Sequence, residues 1–387
     1  MDNKNLKIGI LTFHKSINYG SVLQAWALQK ALEKLGYESE IIDYEPKEYK
    51  HIYEMRLKDA KGFKRKIKTL LSFRKCIEIQ HNKFRNFRES ELKTSSVQYE
   101  YDSDVSRIQK KYSVLVTGSD QIWNTNISDC DPIFFLPFYF EGGKIAYACS
   151  INNGTTNDRF QEDWLKKWLN DYDFISVRER SGVNKLSQFL GGERKIYCAL
   201  DPTLLHLGSV YEKLIHHRLI DGNYIFLYNM WTKNEGIKAA KIVSKKLNLP
   251  VYTISNQIDL IRVAKYEANC IKLDVKHTGP KDFLNYIYHA DFILTDSFHG
   301  TAFSVIFNKR FLTLNSRISK NEYKNDERLI SILEQLELVD RFVKLDDIPS
   351  FDLYEEIDYE RINNHRFELA SNSLKMLNEA IEGCIEN

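Results

Sequence analysis

Between residues 7 and 44 the sequence reads KIGILTF, then a stretch of helical period, then ESEIIDY. In the middle stretch, SVLQAWALQKALEKLG (21–36), Val22, Leu23, Trp26, Ala27, Leu32 and Leu35 recur near a 3.6-residue period, and the pattern stops at Gly36. Strand, helix and strand in that order form a βαβ unit, which requires a parallel sheet covered by helices. The rhythm continues through YSVLVTGS, KIAYACS, DFISVRE and KIYCALDP. It starts afresh at NYIFLYNM (223–230), followed by a helical pattern over 235–248, the strands PVYTIS and CIKLDV, and the helix DFLNYIYHA. The strand DFILTDS, the helix GTAFSVIFN and the strand RFLTLN complete the second array.

Two such arrays in succession predict an α/β chain of two Rossmann-like domains facing each other across a cleft. Length agrees, since 387 residues exceed what one hydrophobic core usually organises. We place an N-terminal domain at 1–205 and a C-terminal domain at 206–354, with the junction near 201–222, between LDPTLLH and the turn DGN. The last segment, 355–387, has a helical pattern and is expected to pack back on the first domain.

One stretch breaks the alternation. RLKDAKGFKRKIKTLLSFRK (56–75) is strongly basic, with Asp59 its one acid, and Phe63, Ile67, Leu70 and Leu71 share a helical face. It reads as a basic helical insertion near 56–93. Two readings stand: an outer helix with a solvated basic face, or a surface that rests on an anionic membrane.

Composition removes several classes of function. A net charge of +2 gives no footing for nucleic-acid binding. The cysteines Cys76, Cys130, Cys149, Cys198, Cys270 and Cys384 are scattered without a CxxC pair, which argues against zinc ribbons and redox dithiols and fits a reducing cytoplasm. The first apolar stretch, IGILTF, is too short for a signal peptide. The longest, IFFLPFYF, is broken by Pro137 and falls short of the ~18 residues of a membrane span. It is expected to be a buried strand or aromatic loop.

In open α/β sheets, ligands bind beyond the carboxyl ends of the strands, and four polar segments sit at such positions. In FHKSINYGSVLQA (13–25), Asn18, Gly20 and Ser21 precede a helix whose free amides favour an anion; plain capping by Ser21 and a glycine turn is the alternative. In VTGSDQIWN (116–124), Gly118 permits a tight turn and Asp120 caps a helix or acts as a base. Ser119 and Asn124 add polarity there, and Trp123 either stacks on a sugar or joins the core. In SVRERSG (176–182), Arg178 and Glu179 form a structural pair, or the planar fork of Arg178 grips a phosphate or carboxylate. In TDSFHG (295–300), His299 is placed for acid–base work near neutrality, with Asp296 close enough to orient it and Gly300–Thr301 opening a helix that holds an anion. No HExxH, GxSxG or clustered ligand set supports a metalloprotease or serine hydrolase.

Taken in order, NYGSVLQAWAL (18–28), GSDQIWN (118–124), SVRERSG (176–182), LDPTLL (200–205) and TDSFHGTAFS (295–304) resemble the polysaccharide pyruvyl transferase family over roughly residues 8–335. The resemblance implies a fold like that of GT-B glycosyltransferases. It implies transfer of pyruvate from phosphoenolpyruvate, as co-substrate, to two hydroxyls of a sugar, as a ketal. The acceptor would be a surface-polysaccharide unit, exopolysaccharide or capsular, often still lipid-linked, which places the chain in the cytoplasm at the inner face of the membrane. No metal or redox cofactor is implied. By position His299 matches the family's catalytic histidine and Arg178 a donor-binding arginine. Some members carry Arg two residues before the histidine, where this chain has Ser297; either Lys309, Arg310, Arg317 or Lys320 supplies that cation, or the donor differs. Two other functions share this fold: a nucleotide-sugar glycosyltransferase and a non-catalytic sugar- or anion-binding protein.

Overall fold

The structure is a computed structural model that describes residues 6–46, 65–100, 106–152, 154, 156–230, 234–254, 265–315, 317–319, 322–323 and 326–386. Residues 56–64 of the basic stretch lie outside the described residues, and from Arg65 its backbone begins the helix Arg65–Glu91.

The first array forms a seven-stranded sheet: β1 (Lys7–Leu11), β2 (Glu38–Glu45), β3 (Thr94–Glu100), β4 (Val114–Asp120), β5 (Gly143–Cys149), β6 (Phe174–Val177) and β7 (Tyr197–Cys198). The strands stand in the order β3-β2-β1-β4-β5-β6-β7, and all pairs are parallel. Every residue of β4 and β5 is buried, as a parallel sheet covered on both faces requires. The second array forms a six-stranded sheet of β8 (Ile225–Tyr228), β9 (Val251–Ile254), β10 (Lys272–Asp274), β11 (Phe292–Thr295), β12 (Phe311–Leu314) and the late strand Phe342–Val343. It too is parallel throughout, with β8 and β11 side by side at its centre. The apolar run IFFLPFYF is a buried 3-10 turn (Pro132–Phe135) leading into a loop, not a strand.

Strand order reverses between β1 and β4 in the first sheet and between β8 and β11 in the second. A crevice opens at each reversal, beyond the carboxyl ends of the strands. The two reversals face each other because the helix following β1, Tyr19–Lys34, lies against helices Pro280–His289 and Phe298–Ile306 of the second half. Tyr19 stacks on Phe283, with ring centroids 5.0 Å apart and planes 3° apart. Ion pairs rim this contact: Lys83–Asp282 at 2.6 Å, Lys281–Glu91 at 2.7 Å and Lys185–Glu327 at 2.6 Å. The last helix, Tyr359–Glu386, returns to the first half, where Ser373 Oγ accepts the Leu200 amide at 3.1 Å and Tyr37 donates to Asn378 at 2.9 Å. No helix among the described residues is long and apolar enough to cross a membrane.

Candidate active site

Four strand tips meet at one point. Arg178 follows β6, Asp201 follows β7, Gly20 opens the helix after β1, and His299 opens the helix after β11. Arg178 donates through Nη1 to Asp201 Oδ2 at 2.8 Å and through Nε to Glu179 Oε1 at 3.2 Å. Its guanidinium lies 3.9 Å from the centre of the Phe298 ring, a cation–π contact across the two halves. Asp201 Oδ2 also accepts Ser119 Oγ at 3.3 Å and stands 3.6 Å from His299 Nε2. Asp201 Oδ1 takes the Thr203 amide at 3.0 Å and its hydroxyl at 2.7 Å. One carboxylate therefore joins the cation of the first half to the imidazole of the second.

Electrostatics follow from this crowding. Burial alone would raise the pKa of Asp201, but His299 and Arg178 reverse that and hold its carboxyl well below the usual range. Burial likewise works against the charge on Arg178, and Glu179, Asp201 and Asp120 outweigh it, so its pKa is raised. All four groups, Arg178, Glu179, Asp201 and His299, are at most 7% exposed. Three of their buried atoms have no hydrogen-bond partner: Arg178 Nη2, Glu179 Oε2 and His299 Nε2. Buried polar atoms are nearly always paired, so unpaired ones gathered from distant parts of a chain mark a place that something else completes.

The remaining residues expected at the site divide. Ser21 Oγ donates to Asp120 Oδ2 at 2.5 Å, and the Ser119 amide donates to Gln24 Oε1 at 3.0 Å, so the tips of β1 and β4 are tied together. Gly118 holds φ 133°, and a side chain there would meet Tyr147 O at 2.0 Å. Gly20 is required by closeness: a Cβ would lie 2.0 Å from His299 Nδ1. Capping at this helix falls to Asn18, whose Oδ1 accepts the amides of Gly20 at 3.0 Å and Ser21 at 3.4 Å, and not to Ser21.

Several expectations need correction. Trp123 is 1% exposed, stacks on Phe135 and donates to Phe134 O at 2.9 Å, so it belongs to the core and offers no face to a sugar. Asn124 holds its own turn, donating to Gln121 and accepting the Asn126 amide. Asp296 does not orient His299: its Oδ1 accepts the Met230 amide at 2.6 Å, and the carboxylate beside the imidazole is Asp201. Helix geometry explains this, because Ser297 caps the helix Phe298–Ile306 and the chain turns between the two residues. Gly300 and Thr301 do not offer donors to an anion. The Gly300 amide goes to Ser297 Oγ at 3.4 Å, the Thr301 amide to Ser297 O at 3.0 Å, and the Thr301 hydroxyl to Ser297 O at 3.1 Å beside Thr313 Oγ1 at 2.8 Å. The first-turn amides ahead of them are those of Phe298 and His299. Lys309 and Arg310 precede β12, at the amino edge of the sheet, and cannot replace a cation at its carboxyl edge. Arg317 lies just past that carboxyl edge in the short strand Arg317–Ser319, and Lys320 lies outside the described residues.

Asp201 is the residue that the sequence left unassigned. A signal was present in LDPTLL: a carboxylate directly after an apolar run and directly before a proline that starts a turn. Among the described residues no His, Cys, Asp and Glu side chains group as a metal-ligand set.

Comparison with known proteins bears on this arrangement. The family model described as polysaccharide pyruvyl transferase matches residues 18–317, which contain all four strand tips. No curated protein matches the chain. Among solved structures, the UDP-GlcNAc 2-epimerase from Neisseria meningitidis bound to UDP-GlcNAc superposes with a TM-score of 0.53 at 11% identity, covering 98% of this chain and 100% of that one. The UDP-N-acetylglucosamine 2-epimerase from Rickettsia bellii gives 0.53 at 12% identity, covering 97% of each. That from Methanocaldococcus jannaschii gives 0.50 at 14% identity, covering 97% and 99%. At such identities the likeness concerns the fold, the GT-B-like pairing of two Rossmann-like halves.

Proposed function

Because the chain belongs to the polysaccharide pyruvyl transferase family, we propose that it transfers pyruvate from phosphoenolpyruvate to a pair of hydroxyls on a surface-polysaccharide sugar, closing a ketal. The observation that carries this reading is the set of three buried, unpartnered atoms: Arg178 Nη2 and His299 Nε2, brought from the two halves to Asp201, and Glu179 Oε2 on the carboxylate bound to Arg178.

Arg178 and His299 have distinct tasks in that reaction. Arg178 Nη2 receives the donor's carboxylate or phosphate, and the amides of Phe298 and His299 at the helix start receive phosphate oxygens. His299, beside the carboxylate of Asp201, gives its proton to the methylene carbon of the enol. Positive charge then develops at C2, one sugar hydroxyl adds there, and a second hydroxyl replaces phosphate with cleavage of the C2–O bond. His299 is only 7% exposed, so a donor reaches it when the two halves part along the contact rimmed by Lys83–Asp282, Lys281–Glu91 and Lys185–Glu327. Ion pairs of this partly exposed kind are worth little individually, of order 0–1 kcal/mol each, so that opening is not costly on their account.

The test is an incubation of the full chain with phosphoenolpyruvate and a panel of free and lipid-linked glycans, followed by mass analysis and phosphate assay. Phosphate release that depends on acceptor, together with a glycan carrying one pyruvate ketal, is the expected result. Consumption of a nucleotide sugar in a parallel arm, with no phosphoenolpyruvate turnover on any glycan, overturns it.

A further inference from the structure

Besides Asp201, two carboxylates stand at tips of the first sheet, and their hydrogen bonds separate them. Asp120 has both oxygens engaged: Oδ2 by Ser21 Oγ at 2.5 Å and Oδ1 by the Gln121 amide at 2.9 Å. Glu179 is 1% exposed, yet only Oε1 is engaged, by Arg178 Nε at 3.2 Å, while Oε2 has no partner. Glu179 occupies the N-cap of the helix Arg180–Phe189 without a side-chain cap bond, so the helix does not explain its placement. Arg178 has a second carboxylate in Asp201 at 2.8 Å. Leaving an oxygen such as Glu179 Oε2 buried and unpaired is unfavourable. Its missing partner has to be a donor. Phosphoenolpyruvate, carrying only acceptor oxygens at neutral pH, cannot be that partner; a sugar hydroxyl can.

Resting on the pyruvyl-transfer reading above, we propose that Glu179 is the catalytic base that takes the proton of the attacking sugar hydroxyl and returns it to the departing phosphate. The proton count closes. His299 gives one proton to the methylene carbon, which becomes the methyl group. The first hydroxyl bonds to C2 through oxygen, and its proton passes to Glu179 Oε2. The C2–O bond to phosphate then breaks, the electron pair leaves with phosphate, and Glu179 protonates it to hydrogen phosphate. The second hydroxyl bonds to C2 and its proton restores His299. Both side chains end in the state in which they began, with no oxidant, reductant or further reactant.

Glu179→Gln retains an oxygen to accept from Arg178 Nε but cannot take a proton. Wild type is assayed first, for acceptor-dependent phosphate release from phosphoenolpyruvate; its absence overturns the pyruvyl-transfer reading and this role with it. Once release is established, E179Q is expected to lose ~10²–10⁴ in kcat, to keep the KM for phosphoenolpyruvate, and to lose the acidic limb of the kcat/KM profile. Wild-type kcat, or a reduced kcat with the acidic limb intact, overturns the role of Glu179 and leaves the wider reading standing. Should E179Q fail to fold, Glu179→Asp decides on the same profile: a lower rate with a displaced acidic limb supports the base, and an unchanged rate and limb overturns it.

Discussion

The turn after β6 and the turn after β11 both stand at carboxyl ends of parallel strands, the first lying two strands beyond its sheet's reversal and the second at it, and they are finished in different ways. After β11 nearly every polar atom is answered, either from within a few residues or from the adjoining strands β8 and β12. Thr295 donates to Tyr228 O at 2.8 Å, the Ser297 amide to Thr295 Oγ1 at 3.1 Å, and Ser304 to Gly300 O at 2.7 Å. Gly300 fits so closely that a Cβ would sit 2.2 Å from Thr295 Oγ1. His299 Nε2 is the exception. After β6 the partners of Arg178 are Glu179 beside it and Asp201 at the tip of β7, and Arg178 Nη2 and Glu179 Oε2 stay open. The second half thus works as a stiff mount for one imidazole, and the first half supplies the charges that a substrate completes. Bonding capacity left over, rather than polarity alone, separates the residues that act from those that hold.

The sharpest way to break this comparison is to move the imidazole without touching its mount. Gly20 lies inside a helix, where Ala is preferred by ~1 kcal/mol. A methyl group there would nevertheless stand 2.0 Å from His299 Nδ1. Gly20→Ala is expected to fold with a loss of ~1–3 kcal/mol from overpacking, while lowering kcat by ~10²–10⁴, the scale of a lost acid–base group. A fully active G20A would mean that the position of His299 is not what limits turnover, and the mount would have no function to serve.

A second way is to remove the carboxylate shared by the halves. Asp201 holds a depressed pKa in the folded chain, so its contribution to stability is complete above the unfolded carboxyl value of ~3.9 and is lost as pH falls toward the folded value. Asp201→Asn leaves Arg178 with Glu179 alone and is expected to cost ~3–5 kcal/mol at pH 7, as for a buried pair stripped of one partner. The gap between wild type and D201N should narrow as pH drops below ~4. Denaturant melts at a series of pH values measure this. A gap that stays constant with pH would show that Asp201 contributes by shape and not by charge.

Legibility divides along the same line. The fold was readable because a period of 3.6 between apolar runs is a local pattern, and each βαβ unit declares itself within about 40 residues. His299, Arg178 and Glu179 were readable as polar residues at predicted strand ends. Asp296 and Trp123 misled for one reason: neighbourhood in the sequence was taken for neighbourhood in space. A helix cap turned Asp296 toward Met230, and Phe134 and Phe135 drew Trp123 inward. Asp201 was hidden by the converse, since its closeness to His299 depends on how two sheets meet, and no spacing within either array encodes that.

Thr301 supplies the smallest effect and tests the mount directly. Read from sequence, it looks like an anion ligand at a helix start; in the structure its hydroxyl is spent on Ser297 O and Thr313 Oγ1, and the residue is fully buried. Thr301→Val preserves the volume and strands the Thr313 hydroxyl, at a cost of ~1–3 kcal/mol. If the turn after β11 only holds, T301V should be less stable by that amount in denaturant melts, with kcat and the KM for phosphoenolpyruvate unchanged. If the turn also binds, KM should rise while stability hardly moves, and the two turns would then differ in degree rather than in kind. The expected order in turnover, with G20A far below T301V, comes from the open atom on His299 and the closed one on Thr301, residues two apart on the same helix.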